Sequence, residues 1–298
     1  MEEALNRTID PACLQEPPQA IDVINQLDKF GFCLYGILTL MSCISLLLYL
    51  EQCVYIYKEL PYPKKTTIIW INGAAPVIAT MACFGMWIPR AVMFTDMTSN
   101  CYFAVVVYKV LVLMIEEYGG TDLFLKRFSG ETFKISVAAL QYAILKTVLS
   151  VLSIILWTNG NFDLSDLEIT GTAIWINPFI GVLTITSLWP VGIIFMNTNS
   201  NLRKIKIIPK YAMYQLILVL SQLQTSIINI LALNGTIPCS PPFSSTAWGS
   251  MLSQQIMIME MFIITLVTRC LYRRTYDTLP TEAHDDDHKE MKLVEHDV

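Results

Sequence analysis

Three ionisable side chains fall inside runs of apolar residues. Lys146 lies in "LQYAILKTVLSVLSIILW" (140–157), Lys109 in "NCYFAVVVYKVLVLM" (100–114) and Glu260 in "LSQQIMIMEMFIITLV" (252–267). If these runs cross a bilayer, a central lysine costs about 2.5–3.5 kcal/mol on insertion scales. Snorkelling is a poor escape from the midplane, because it must cross ~15 Å of hydrocarbon. Such residues face the bundle interior or a water-filled cavity, where they pair with one another or mark a solute path. Lys146 and Glu260 could form a buried ion pair that fixes packing, or contact a solute. Lys109 has a closer partner in Glu116, seven residues on and therefore on nearly the same helix face, ~10 Å along the axis. With Arg90 at the outer end of the second apolar run, two enclosed lysines against one glutamate leave a positive surplus that suits anions.

Uncharged polar residues join this set. Gln141 and Tyr142 precede Lys146, and "SQLQTSIIN" (221–229) brings Gln222 with Gln224, Thr225 and Asn229. In "WINPF" (175–179), Asn177 precedes Pro178, whose missing N–H exposes a backbone carbonyl. Hydrogen bonding between helices explains the polar residues of 221–229 equally well. Catalytic constellations are missing. The three histidines, His284, His288 and His296, all lie near the C-terminus, away from the apolar runs, so a His-ligated metal site within them has no donors. No P-loop, dinucleotide fingerprint or GxSxG occurs. No enzymatic activity, cofactor, metal or nucleic-acid partner is expected.

The elements that must position these residues are legible in the composition. The chain has 298 residues, 54% hydrophobic and 15% charged, with a mean hydropathy of +0.49. Soluble domains carry about 25% charged residues. Seven apolar runs stand out, roughly 30–50, 67–88, 98–115, 135–157, 171–195, 211–233 and 251–271. Each approaches the ~20 residues that cross a ~30 Å hydrocarbon core as a helix, and none alternates as a barrel strand would. The third is the weakest, with its uninterrupted apolar part confined to 101–115. The expected fold is an all-α membrane protein of seven transmembrane helices.

Fifteen of the 20 lysines and arginines fall in the segments on one side of these runs, and Arg7, Lys29 and Arg90 on the other. The asymmetry places the N-terminus outside and the C-terminus in the cytoplasm. Residues 1–29 form an exterior segment, 30–271 the transmembrane domain, and 272–298 an acidic cytoplasmic tail of disordered composition. The N-terminus lacks the pattern of a signal peptide. Both glycosylation sequons, at Asn6 and Asn234, fall outside in this arrangement, and tryptophans 70, 87, 157, 175 and 248 fall near span ends. Cys13 and Cys239 are exterior, in an oxidising space, where a disulfide between them would tie the N-terminal segment to the loop before the last span.

The motifs "CFGMWIPR" (83–90), "EEYGG" (116–120), "LQYAILK" (140–146), "TAIWINPFIGVLTITSLW" (172–189), "CSPPFSS" (239–245) and "TRCLYRR" (268–274) follow one another in order along the chain. Together they resemble the organic solute transporter alpha subunits. The resemblance implies a seven-span subunit that works with a small single-span beta subunit. It implies sodium-independent, facilitated transport of amphipathic organic anions, such as bile acids and steroid conjugates. The site of action would be the plasma membrane, basolateral in polarised epithelia, with the endoplasmic reticulum occupied before assembly. Lys146 ends one of the motifs. With Gln141 and Tyr142 it is the expected contact for a sulfonate or carboxylate, and Lys109, Arg90, Glu260, Asn177 and Gln222 complete the expected substrate-binding set. One departure stands out: "EEYGGTDLFLKRFSGETFK" (116–134) lacks the cysteine-rich run of vertebrate alpha subunits. The alternative is a seven-helix ligand-binding receptor. Against it, the third run ends in "EEYGG" rather than an acidic-Arg-aromatic triplet, and the seventh lacks an Asn-Pro pair.

Overall fold

A computed structural model describes residues 19–59, 64–117, 208–233 and 244–276, together with short stretches within 144–159 and at 236–237. Every regular element among the described residues is helical. In chain order these are α1 (Ala20–Gln26), α2 (Lys29–Glu59), α3 (Lys64–Asn72), α4 (Ala74–Trp87), a 3₁₀ turn (Pro89–Ala91) and α5 (Val92–Glu117). Then follow α6 (Ile208–Val219), a π turn (Leu220–Gln224), α7 (Thr225–Leu233) and α8 (Ser245–Tyr276).

Among the described residues, four helical segments are long and apolar enough to cross a membrane: Lys29–Glu59, Lys65–Trp87, Pro89–Glu116 and Ala247–Leu271. They coincide with the first, second, third and seventh expected spans. The sixth coincides with the helical run 208–233. Of the fourth expected span only the short helical pieces within 144–159 are described, and the fifth lies outside the described residues. The chain is thus a multi-pass, all-α membrane protein.

The distribution of side chains explains why a bilayer is the right solvent. The buried stripe of α2 is Tyr35, Leu38, Ser42, Ser45, Gln52 and Ile56. Its outward face carries Phe30, Phe32, Leu40, Leu47, Leu50 and Tyr57, all more than half exposed. A helix that turns serines and a glutamine inward and large apolar groups outward is built for lipid contact. In water the same arrangement would leave apolar surface unburied.

Helix α4 is the centre of the bundle, packed against α2, α5 and α8. Its buried residues include Ala74, Ala75, Ala79, Ala82 and Gly85, and small side chains let neighbouring backbones approach closely. Ser42 on α2 donates to the Ala79 carbonyl at 3.3 Å. A Cβ on Gly85 would lie 3.0 Å from Thr95 Oγ1 and 3.4 Å from the Gln254 amide carbon, so α4, α5 and α8 meet tightly there and a larger residue would press on both side chains. At the far end of α4, Trp87 Nε1 donates to Thr39 Oγ1 at 2.9 Å and its ring packs edge-on to Tyr35. The Tyr35 hydroxyl reaches Met251 Sδ at 2.8 Å, which joins α2 to α8.

The second span runs helically from Lys65 to Trp87 with one interruption of its hydrogen-bond ladder at Gly73, because Pro76 removes the N–H that would have met the Asn72 carbonyl. Gly73 keeps helical dihedrals, donates to the Ile69 carbonyl at 3.1 Å and accepts from Val77 N–H at 3.0 Å. The tyrosines of two neighbouring helices close over the interruption: Tyr49 donates to the Ile69 carbonyl at 3.3 Å and Tyr102 to the Trp70 carbonyl at 3.0 Å. A Cβ on Gly73 would collide with both hydroxyls. Irregular backbone at membrane depth persists only where protein or a cavity shelters it. Here the two rings supply the shelter.

Candidate functional site

Polar side chains converge in the half of the bundle nearest the α4–α5 turn. On α5, Asp96, Asn100 and Phe103 follow at intervals of four and three residues and so share one face, with Ser99 beside them. On α8, Gln254 faces them and donates Nε2–H to Asp96 Oδ1 at 2.8 Å. Gln254 is 6% exposed, so this bond satisfies an amide that has no ready access to water. The π turn brings the third wall. Ser221 and Thr225 lie on either side of Gln224, and Thr225 Oγ1 stands 3.4 Å from Ser253 Oγ on α8. These residues, with Ile78, Ala82 and Met257 on the apolar side, enclose a cavity of about 110 Å³. That is room for about three waters or a small polar head group, well below the ~300–1,000 Å³ of a site for a drug-sized molecule.

One helical turn further along α8, Glu260 accepts hydrogen bonds from the Gln224 side-chain amide on both carboxylate oxygens. The amide orientation is the one that the hydrogen-bonding network selects. Gln224 closes the π turn, so an irregular stretch of backbone and the residue after it hold both the cavity hydroxyls and the partner of the half-buried Glu260. π turns inside α-helices are frequent at functional sites.

A second, smaller cavity of about 20 Å³ lies on the other side of a ring pair. Phe103 lines the first cavity and Tyr214 the second, and their rings stack at 5.6 Å with an interplanar angle of 2°. The smaller cavity is bounded by Gln52, Asn72, Thr265 and Thr268. Gln52 Nε2 and both side-chain polar atoms of Asn72 are buried without a hydrogen-bond partner among the described residues.

The substrate-binding residues expected from sequence are placed only in part. Lys146, Gln141, Tyr142 and Asn177 lie outside the described residues, as do Asn6, Asn234, Cys13 and Cys239. Gln222 lies on the π turn. Lys109 sits on α5, partly buried, and Arg90 is exposed on the 3₁₀ turn. Arg90, Lys109 and Glu260 do not line the larger cavity. Glu116, the expected partner of Lys109 through water, has a buried Oε2 with no hydrogen-bond partner.

Asp96 and Gln254 were not among the expected residues. The third span was expected to begin near 98, which left Asp96 in an exterior loop, but the helix begins at Val92 and carries Asp96 inside the span. The positive surplus drawn from the sequence shrinks with this placement: Asp96 adds a second acid within the spans to the two lysines and one glutamate counted from the sequence. The available signal was the spacing of Asp96, Asn100 and Phe103, which extends the third run backward at helical period.

Fold and cavity together define a multi-pass membrane protein whose helices enclose polar contacts at membrane depth. Residues 34–277 match the family described as Organic solute transporter Ostalpha, and the chain belongs to that transporter family. It is 56% identical to the organic solute transporter subunit alpha of Danio rerio, over 98% of this chain and 97% of the relative. The subunit alpha of Leucoraja erinaceus is 35% identical over 93% of this chain and 86% of its own length. That of Homo sapiens is 32% identical, over 90% and 87% respectively. No solved structure matches the chain.

Proposed function

We propose that this chain is the alpha subunit of a heteromeric carrier that moves amphipathic organic anions, bile acids and steroid conjugates among them, down their gradients without sodium. Its partner is a small single-span beta subunit, and its place of work is the plasma membrane, basolateral in polarised epithelia. The observation that supports this most is the similarity to alpha subunits along almost the whole chain, 56% identity over 98% of it. The cavity fits the reading in kind, because it offers hydrogen-bonding groups inside a bundle whose outward faces are apolar. Its size fits a head group rather than an entire steroid. Lys146, with Gln141 and Tyr142, is the proposed contact for the anion itself. Seven spans with an exterior N-terminus complete the reading, on the lysine and arginine asymmetry.

The test is uptake of a radiolabelled steroid sulfate and a radiolabelled bile acid into vesicles containing this chain, with and without a beta subunit, in sodium and in potassium medium. Saturable uptake that needs both subunits and is indifferent to sodium is expected. Uptake no greater than that of empty vesicles, or a strict sodium requirement, would overturn the proposal. A ligand-dependent G-protein response without uptake would favour a receptor.

A further inference from the structure

The smaller cavity is the part of the interior that the transport reading leaves unexplained. Gln52 on α2 is 4% exposed, Asn72 at the end of α3 is 5% and Thr265 on α8 is 3%. Three amide atoms there, Gln52 Nε2, Asn72 Nδ2 and Asn72 Oδ1, have no hydrogen-bond partner among the described residues. Buried amides are ordinarily paired, and each exception calls for an explanation. Among the described residues no charged side chain lines the space, and Thr265 already spends its proton on the Met261 carbonyl at 2.8 Å. What remains is a neutral pocket with two unspent N–H₂ groups, one free amide oxygen and hydroxyl lone pairs. A single water fits its ~20 Å³.

Position gives the pocket its meaning. It lies directly behind Tyr214, whose partner ring, Phe103, forms part of the larger cavity. Two polar spaces therefore stand in series through the bundle with one stacked ring pair between them. Both interruptions of helix geometry adjoin this axis. Asn72–Gly73 borders the smaller space, and the π turn that follows α6 borders the larger.

We propose that Gln52 and Asn72 form an inner hydrogen-bonding station for the solute's anionic oxygens, occupied by water until Phe103 and Tyr214 part and the head group passes from the larger cavity. The station rests on the transport reading given above. Its chemistry is that of neutral donors facing an acceptor-only group, carboxylate or sulfonate, with no acid nearby to repel it. It complements Lys146, which supplies charge, by supplying direction.

The test uses the full chain with a beta subunit in vesicles, and compares wild type with the double variant Gln52→Met, Asn72→Leu. The substitutions keep volume and remove the unpaired amides. Replacing unsatisfied buried amides with apolar groups of similar shape is neutral or favourable for folding. Surface level and Tm should therefore be unchanged or higher. Uptake of a radiolabelled steroid sulfate below saturation should fall roughly tenfold, the loss expected for hydrogen bonds to a charged group. The rise in Tm that the steroid sulfate gives wild type should shrink with it. If wild type transports and the double variant matches it in uptake and in ligand-induced Tm shift, the amides hold only water and the station is refuted alone. If wild type carries no solute, the transport reading and the station fall together. The single variants Gln52→Met and Asn72→Leu are read by the same criteria and decide the matter where the pair is retained inside the cell.

Discussion

Asp96 and Gln254 depend on each other more than on anything else in their cavity. Gln254 is buried and donates to the carboxylate, so removing the acceptor strands an amide in a place that water reaches poorly. Asp96→Leu is expected to destabilise the detergent-extracted protein by about 1–3 kcal/mol, whereas Asp96→Asn keeps an acceptor and should stay close to wild type. Thermal unfolding followed by tryptophan fluorescence separates the two, and equal Tm values for both variants would show that the bond contributes nothing. Lys146 calls for a different experiment, because charge and packing must be told apart. Lys146→Met removes the charge and keeps the length. A residue that contacts the anion should leave surface level intact and lose most uptake, with Lys146→Arg retaining some. A residue that merely neutralises Glu260 should instead reduce surface level, since an acid inside an apolar span is costly without a cation beside it. Adding Glu260→Gln would then restore level and uptake together. Full uptake by that double variant would dismiss Lys146 as a contact. The Gln224 amide already serves Glu260 with two hydrogen bonds, which favours the first outcome.

Among the elements, the interruption at Gly73 is the most sharply determined. Gly73→Ala would push its methyl group into the Tyr49 and Tyr102 hydroxyls, and both bonds to the end of α3 would be lost or bent. A loss of roughly 1–2 kcal/mol is expected, read as a lower Tm. Tyr102→Phe on that background removes one of the two obstructing hydroxyls and should recover part of it. If it lowers Tm further, the collision is not the cause. The elements also show what could be read from residues alone. Apolar runs of bilayer length gave the inner portions of spans one, two, three and seven and the helical run 208–233, because burial in lipid imposes one simple condition on composition. The outer end of the third span escaped, because Thr95, Asp96, Ser99 and Asn100 read as a loop until α8 is seen to present Gln254 to them. The π turn and the ring pair escaped for a related reason. Each depends on which faces meet, and periodicity within one helix does not reveal its neighbour. Gly85 lies inside the motif "CFGMWIPR", yet only the approach of Thr95 and Gln254 explains why space for a side chain is tight there.

At the scale of the molecule, the first matter is orientation. Tags at either end, probed on intact and on permeabilised cells, should show the N-terminal tag in both and the C-terminal tag only after permeabilisation. A C-terminal tag visible on intact cells would overturn the topology. The second matter is length. Helix α2 has 31 residues and α8 has 32, about 46 and 48 Å of helix against ~30 Å of hydrocarbon. Both must tilt or project, and they are tied to each other where Arg269 meets Glu51 at 2.6 Å. That ion pair is partly exposed and sits near the edge of the apolar stretch, where a small shift of the boundary changes its surroundings. The bilayer of the endoplasmic reticulum is ~27 Å thick and a sterol-rich plasma membrane ~32–33 Å, a difference of about 2–3 Å on each side. In the thicker bilayer the pair would lie closer to hydrocarbon, where its attraction strengthens as screening falls. A double-mutant cycle on Glu51 and Arg269 should accordingly give a larger coupling in long-chain than in short-chain lipid, and equal couplings would refute the idea. The clamp between the two longest described helices would then act as a gauge of bilayer thickness, slack in a thin membrane and tighter in a thick one.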